Sequence, residues 1–248
     1  VPGRKYGLAD VRASYPPAKR EDELENEVAY FLIYRPVSIW LTPLFLRLRL
    51  PPTAVTALSL VLALAMPAAA AALGAGAYLA VGCLTITFHV MDCVDGNIAR
   101  TTGRTSAPGA LFDGFAGHVF WVMYFAALGI LVQRQGSGFW AEHGLHLALA
   151  LILLVMLHRE LRDAYSRFYD AEITAIGGGT ANGSWAMRVF ISLEGFYGFA
   201  VLVAGALGRL PELLAATGVY VAVIFAGAVA LTFSSACRRP PPESWHGR

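Results

Sequence analysis

Three aspartates in one short stretch set the chemical question. Residues 91–117 read MDCVDGNIARTTGRTSAPGALFDGFAG. Asp92 and Asp95 are three residues apart and so share one face of a helix. Gly96 and Ala99 lie on that face, and Arg100 flanks it. Small side chains there let a flat ligand or a second helix approach the backbone. Asp113 falls on the opening turn of the next apolar segment, and Gly103, Pro108 and Gly109 suit the turn between the two. Clustered carboxylates repel one another. A hard divalent cation, Mg²⁺ or Mn²⁺, removes that repulsion and bridges carboxylates to substrate phosphates. Arg100 and Arg104 can neutralise phosphate oxygens. The pattern reads as a metal-bound diphosphate site, with Asp92, Asp95 and Asp113 as ligands and catalytic groups. The competing reading is a polar helix interface in which the aspartates pair with arginines.

The elements that must position these residues are apolar. The chain is 56% hydrophobic and 15% charged, with mean hydropathy +0.55. A soluble domain carries about 25% charged residues. A net charge of +2 is too small to argue for a nucleic-acid partner. A spanning helix needs about 20 apolar residues. Six segments qualify, near 52–73, 76–100, 109–133, 144–168, 186–208 and 213–236. Residues 22–50 alternate apolar residues with charges, and Arg35, Arg47 and Arg49 break the run. That pattern predicts an amphipathic helix in the membrane interface. The expected fold is an all-α integral membrane protein with six transmembrane helices and an N-terminal interfacial amphipathic helix. The expected division is a polar N-terminus over 1–21, the interfacial region over 22–50, the six-helix domain over 52–237 and a tail over 238–248. The polar first 27 residues show no early apolar run, so no signal peptide is expected. Cys83, Cys93 and Cys237 have no metal or disulfide spacing and are expected as reduced thiols, the first two as small packing residues.

Lysine and arginine set the orientation. They crowd the N-terminal region, the 100–104 loop, the stretch with Arg159, Arg162, Arg167 and Arg188, and the tail. The alternate loops hold only Arg134 and Arg209. This predicts both ends and all three aspartates on the cytoplasmic side.

The spacing resembles that of the CDP-alcohol phosphotransferase family, whose pattern is D-x2-D-G-x2-A-R-x8-G-x3-D-x3-D. Asp92, Asp95, Gly96, Ala99, Arg100, Gly109 and Asp113 fall in register, seven of the eight fixed positions across 26 residues. The segment PTAVT at 52–56 is similar to the P-N-x-V-T of many members, with Thr53 in place of the asparagine and Thr56 in register. HRELRDAYSR at 158–167 resembles the acceptor side of some members. The resemblance implies a CDP-linked lipid or alcohol donor, an alcohol or phosphorylated-alcohol acceptor and a membrane-lipid product. It also implies a divalent metal, a homodimer, and nucleotide contacts at Thr56, Gly96, Ala99, Arg100 and Gly109. An acceptor hydroxyl would attack the β-phosphorus and CMP would leave. Arg159 and Arg167 would suit a phosphorylated acceptor.

The eighth position, which in the family is proposed to act as base, is Gly117 here. His118 lies about 140° round the helix from Asp113, against about 40° for position 117. His89, three residues before Asp92, is the other candidate base, and His158 and Glu160 can face the acceptor. Three readings follow. One is a phosphotransferase with a displaced base. Another is an enzyme that ionises a prenyl diphosphate, a reaction that needs no base, with Phe112, Phe115, Phe120, Trp121 and Tyr124 walling an isoprenoid pocket. The last is a non-catalytic binding subunit.

Overall fold

The computed structural model describes residues 6–169, 190 and 192–238, the side chains of 168 and 169 excepted. Arg188, the start of the expected fifth span and the tail beyond residue 238 lie outside this set. Every regular element among the described residues is helical. Two short helices come first, α1 (Leu8–Ala13) and α2 (Pro17–Asn26), then a π turn over Tyr30–Tyr34 and α3 (Arg35–Arg47). Four long helices follow: α4 (Pro52–Ala72), α5 (Ala77–Thr102), α6 (Ala107–Gln135) and α7 (Phe139–Tyr169). A 3₁₀ turn over Leu193–Phe196 leads into α8 (Tyr197–Ala206), and α9 (Leu210–Arg238) completes the order.

Helices α4 to α7 and α9 are each long and apolar enough to cross a membrane, five in all among the described residues. The chain is a multi-pass membrane protein. The expected fifth span corresponds to the shorter apolar stretch Leu193–Ala206. The N-terminal region expected as one helix over 22–50 is broken into α2, the π turn and α3. The break is at Glu27, whose dihedrals (φ −137°, ψ 56°) leave the helical region. At 13 residues, α3 is too short to cross a bilayer.

The α5–α6 turn is tightly specified. Gly103 ends α5 in the left-handed region at φ 67°, where a side chain would strain the backbone. The Arg104 N–H then closes back on the Ala99 carbonyl at 2.9 Å. Ser106 caps α6, its Oγ accepting from the Gly109 N–H at 3.2 Å, and Pro108 fills the first turn, where an N–H is not required. This short reversal sets the start of α6 beside the end of α5.

The bundle is layered. Helix α4 packs on α5 and α6, α6 on α7, α8 on α5, and α9 on α7. The most apolar windows of α5 and α6 are 56% buried, against 17% for α7 and α9, so α5 and α6 form the inner pair. Leu149, Leu153, Leu157, Val219 and Phe233 stand exposed on the outer helices, as a lipid-facing surface requires. The α5–α8 crossing depends on small residues. A Cβ added to Gly82 would lie 2.6 Å from Leu202, and one on Gly198 2.7 Å from Ile86. A second, smaller core of Ala29, Tyr34, Phe45, Val55, Val90, Cys93, Val94 and Ile98 docks the N-terminal helices against α5. All three cysteines are free, but Cys83 is exposed rather than packed, because its position on α5 faces outward.

Candidate active site at the α5–α6 junction

The turn brings the three aspartates together. Asp92 and Asp95 project from the second half of α5, and Asp113 from the second turn of α6. The charges of Asp113 and Asp95 both act on Asp92, and that of Asp113 acts on Asp95. Asp95 is buried and accepts a hydrogen bond from Thr56 Oγ1 at 2.6 Å, so the start of α4 fixes its orientation. Asp113 opens toward the surface. Among the described residues none of the three carboxylates forms an ion pair within 4.0 Å. The alternative in which arginines neutralise them is therefore not the arrangement found. Arg100 turns away instead, donating from Nη2 to Asn97 Oδ1 at 2.9 Å. Its guanidinium lies along Gly96, where an added Cβ would come within 3.2 Å of Nη1. The Arg100 Nε is buried without a partner. Ala99 supplies the carbonyl that closes the turn, and Gly109 lies against its own cap, a Cβ there meeting Ser106 Oγ at 3.0 Å.

The donor chemistry fits a hard divalent cation. All three candidate ligands are carboxylates, and among the described residues no basic side chain pairs with any of them within 4.0 Å. Among the described residues no three His, Cys, Asp or Glu side chains are grouped so that they could by themselves hold a metal ion. The set suits an ion that takes one or two carboxylates and completes its shell with substrate phosphate oxygens, as Mg²⁺ commonly does.

The family profile described as CDP-alcohol phosphatidyltransferase matches residues 49–237. The chain belongs to this family. No curated protein matches it. The matched range covers α4 through nearly all of α9, so a CDP-alcohol phosphatidyltransferase domain forms the membrane bundle. Helices α1 to α3 precede that range.

Those N-terminal helices nevertheless reach the back of the phosphatidyltransferase fingerprint. Glu23 is fully buried and meets the guanidinium of Arg35, itself 6% exposed, with Arg35 Nε at 3.1 Å from both carboxylate oxygens and Nη2 closer still to Oε1. Tyr15 donates its hydroxyl to Glu23 Oε2 at 2.7 Å. Arg35 Nη1 donates onward to Asn97 Oδ1 at 2.9 Å and to the Cys93 carbonyl at 3.3 Å. Asn97 Nδ2 donates to Ser38 Oγ and Thr42 Oγ1. Burial works against the Arg35 charge, but the Glu23 carboxylate holds the guanidinium above its ordinary pKa. Asn97, between Asp95 and Arg100, thus couples this network to the fingerprint. Sequence reasoning took Arg35 as an interfacial charge and did not single out Glu23 or Asn97. The one available signal was an Asn inside an apolar helix, which must find partners.

The two candidate histidine bases are each held through Nδ1, while the Nε2 of His89 is buried without a partner. His118 Nδ1 meets the carbonyl of Gly114 on its own helix at 2.7 Å. His89 is 3% exposed, its Nδ1 2.7 Å from Tyr30 Oη, and the rings of Tyr34, Phe88 and Phe120 pack around it. A cavity of about 210 Å³ lies among α6, α7, α9 and the N-terminal segment, with Glu27, His158, Arg159, Arg162 and Glu194 among its polar wall residues and Trp121, Phe125, Tyr197 and Tyr220 among its aromatic ones; none of the three aspartates lines it. Arg159 is thus brought to a cavity. Arg167 is not: it is exposed and donates to Glu160 at 2.7 Å, away from the cavity wall. Phe120, Tyr124 and Phe125 are fully buried in ring-to-ring packing, while Phe115 is exposed.

Proposed function

We propose that this protein transfers the phosphoryl-bearing group of a CDP-linked donor to an alcohol acceptor and releases CMP. The reading includes dependence on Mg²⁺ or Mn²⁺ and a site on the cytoplasmic face, the side that the lysine and arginine bias favours. The observation that carries it is the set of three carboxylates at the α5–α6 junction, free of ion pairs among the described residues, within a seven-position family fingerprint.

The chain's own groups have distinct tasks. Thr56 holds Asp95 in place through the 2.6 Å hydrogen bond. Arg100, with a buried unpartnered Nε beside Gly96, offers donors to a phosphate or cytidine oxygen. Asp92, Asp95 and Asp113 would hold the cation, which when bound offsets the diphosphate charge and polarises the phosphoryl oxygens. Arg159 and Arg162 at the cavity favour an acceptor with anionic character.

The test is thermal stabilisation of the purified protein in detergent with Mg²⁺ or Mn²⁺, titrated with CDP, CDP-diacylglycerol and farnesyl diphosphate, followed by CMP release. Stabilisation by the cytidine ligands that disappears in Asp92→Asn, with CMP release abolished in both Asp92→Asn and Asp113→Asn, is the expected result. Stabilisation by the prenyl diphosphate alone would overturn the reading.

A further inference from the structure

Asn97 stands among the fingerprint residues without being one of them. It is 1% exposed, and all four hydrogen-bonding positions of its amide are filled. Oδ1 accepts from two guanidiniums, Arg35 Nη1 and Arg100 Nη2, each at 2.9 Å. Nδ2 donates to Ser38 Oγ at 3.1 Å and to Thr42 Oγ1 at 3.2 Å. The amide fits only this way round. Both hydroxyls commit their own protons to backbone carbonyls, Ser38 to that of Arg35 and Thr42 to that of Ser38, so each can only accept from Asn97. A turned amide would set Oδ1 against their lone pairs and its N–H donors against two guanidiniums.

Three of the four partners come from one stripe of α3. Arg35, Ser38 and Thr42 recur at helical spacing, and all three are buried. Glu23 anchors Arg35 in turn. Helix α3 ends before residue 49, where the family match begins. Buried polar groups in an apolar bundle are costly unless they are bonded, and the side chains of this stripe converge on one amide. What that amide holds is the arginine of the fingerprint. At about 100° per residue, Asn97 lies about 60° to one side of Arg100 on α5, while Gly96, Asp92 and Asp95 lie about 40°, 80° and 140° to the other. With Nη2 tied to Asn97, Nη1 rests over Gly96, on the aspartate side, 3.2 Å from where a Cβ would stand. The guanidinium makes no other hydrogen bond among the described residues, and its Nε is buried without a partner. Arg100 is thus held by one edge, with donors left for a ligand.

We propose that Asn97 is a positioning residue for donor binding: held by the α3 stripe, it fixes Arg100 so that the remaining guanidinium donors meet the CDP-linked donor. The proposal rests on the phosphotransferase reading above. It gives the N-terminal helices a share in donor affinity, although they precede the matched domain. A long side chain free to change rotamer must be ordered each time a ligand binds, whereas a tethered one is ordered in advance. Asn97 acts through Arg100 alone.

The experiment measures the Kd of CDP by calorimetry on the full chain in detergent, with Mn²⁺ present throughout. The variants are Asn97→Ala and the α3 pair Ser38→Ala/Thr42→Val, each with and without Arg100→Ala, and Arg100→Ala alone. Asn97→Ala is expected to weaken CDP binding about tenfold, the scale of one hydrogen bond to a charged group. In the Arg100→Ala background the same change is expected to add less than about twofold, because nothing is left for Asn97 to position. Ser38→Ala/Thr42→Val keeps Asn97 but frees its amide to turn. It is expected to weaken CDP binding about threefold, again only while Arg100 is present. This α3 variant carries the test if Asn97→Ala does not fold. A general loss of packing would weaken CDP binding alike in both backgrounds, and that result overturns the assignment while leaving the phosphotransferase reading in place. Asn97→Ala with a Kd within about twofold of wild type does the same. Wild type that binds no CDP overturns both.

Discussion

The buried Glu23–Arg35 pair offers the sharpest test of how the N-terminal helices serve the bundle. Replacing Glu23 by Gln keeps the side-chain shape and an acceptor for the 2.7 Å hydrogen bond from Tyr15, but removes the charge that faces Arg35. Breaking a buried ion pair from one side costs about 3–5 kcal/mol, because the remaining charge is left without compensation. Arg35 would retain Asn97 Oδ1 at 2.9 Å and the Cys93 carbonyl at 3.3 Å, so the lower end applies. The expected loss is about 3 kcal/mol, about a hundredfold in the unfolding constant. Arg35→Met should cost more, about 4–5 kcal/mol, since it strands the fully buried Glu23 carboxylate and takes a donor from Asn97. The assay is equilibrium unfolding in mixed micelles, run as a double-mutant cycle with Glu23→Gln, Arg35→Met and the pair. A favourable coupling above about 1.5 kcal/mol is expected between residues in one network. If Glu23→Gln loses less than about 1 kcal/mol, the pair is no more than a surface-type contact and the reasoning fails.

Two further changes test local claims. Thr56→Val removes the 2.6 Å hydrogen bond to Asp95 while keeping the side-chain volume; at about 1.5–3 kcal/mol for a bond to a charged group, donor kcat/KM should fall about 10- to 100-fold, and an unchanged value would show that Asp95 needs no help from α4. Gly82→Val drives a side chain into Leu202 and should destabilise by about 1–3 kcal/mol with loss of α5–α8 packing, measured by the same unfolding assay; wild-type stability would mean that the crossing has slack.

The sequence was legible where the information is local. Runs of apolar residues the length of a bilayer announce spanning helices, and five long ones stand where apolar segments predicted them. The spacing of Asp92, Asp95 and Asp113, with Gly103, Pro108 and Gly109 between them, was enough to foresee two helix ends meeting at a tight turn. The N-terminal region was less legible, because its mixture of charges and apolar residues fits one interfacial helix as well as three shorter pieces. Only packing separates these, by burying Glu23 and Arg35 that a helix on a membrane surface would leave wet.

What the sequence determined by itself is the class of molecule and its family. Mean hydropathy, span lengths and a fingerprint of seven positions depend on residue order alone. What only the tertiary structure decided is which distant groups meet: Thr56 with Asp95, Arg35 with Asn97, Tyr30 with His89, and Glu27 with Arg159 at one cavity. These pairs are separated by 39, 62 and 59 residues in the three hydrogen-bonded cases. No helical period links such positions. They come together because burying a polar group in an apolar bundle is favourable only where a partner already waits, and the fold as a whole sets where that is.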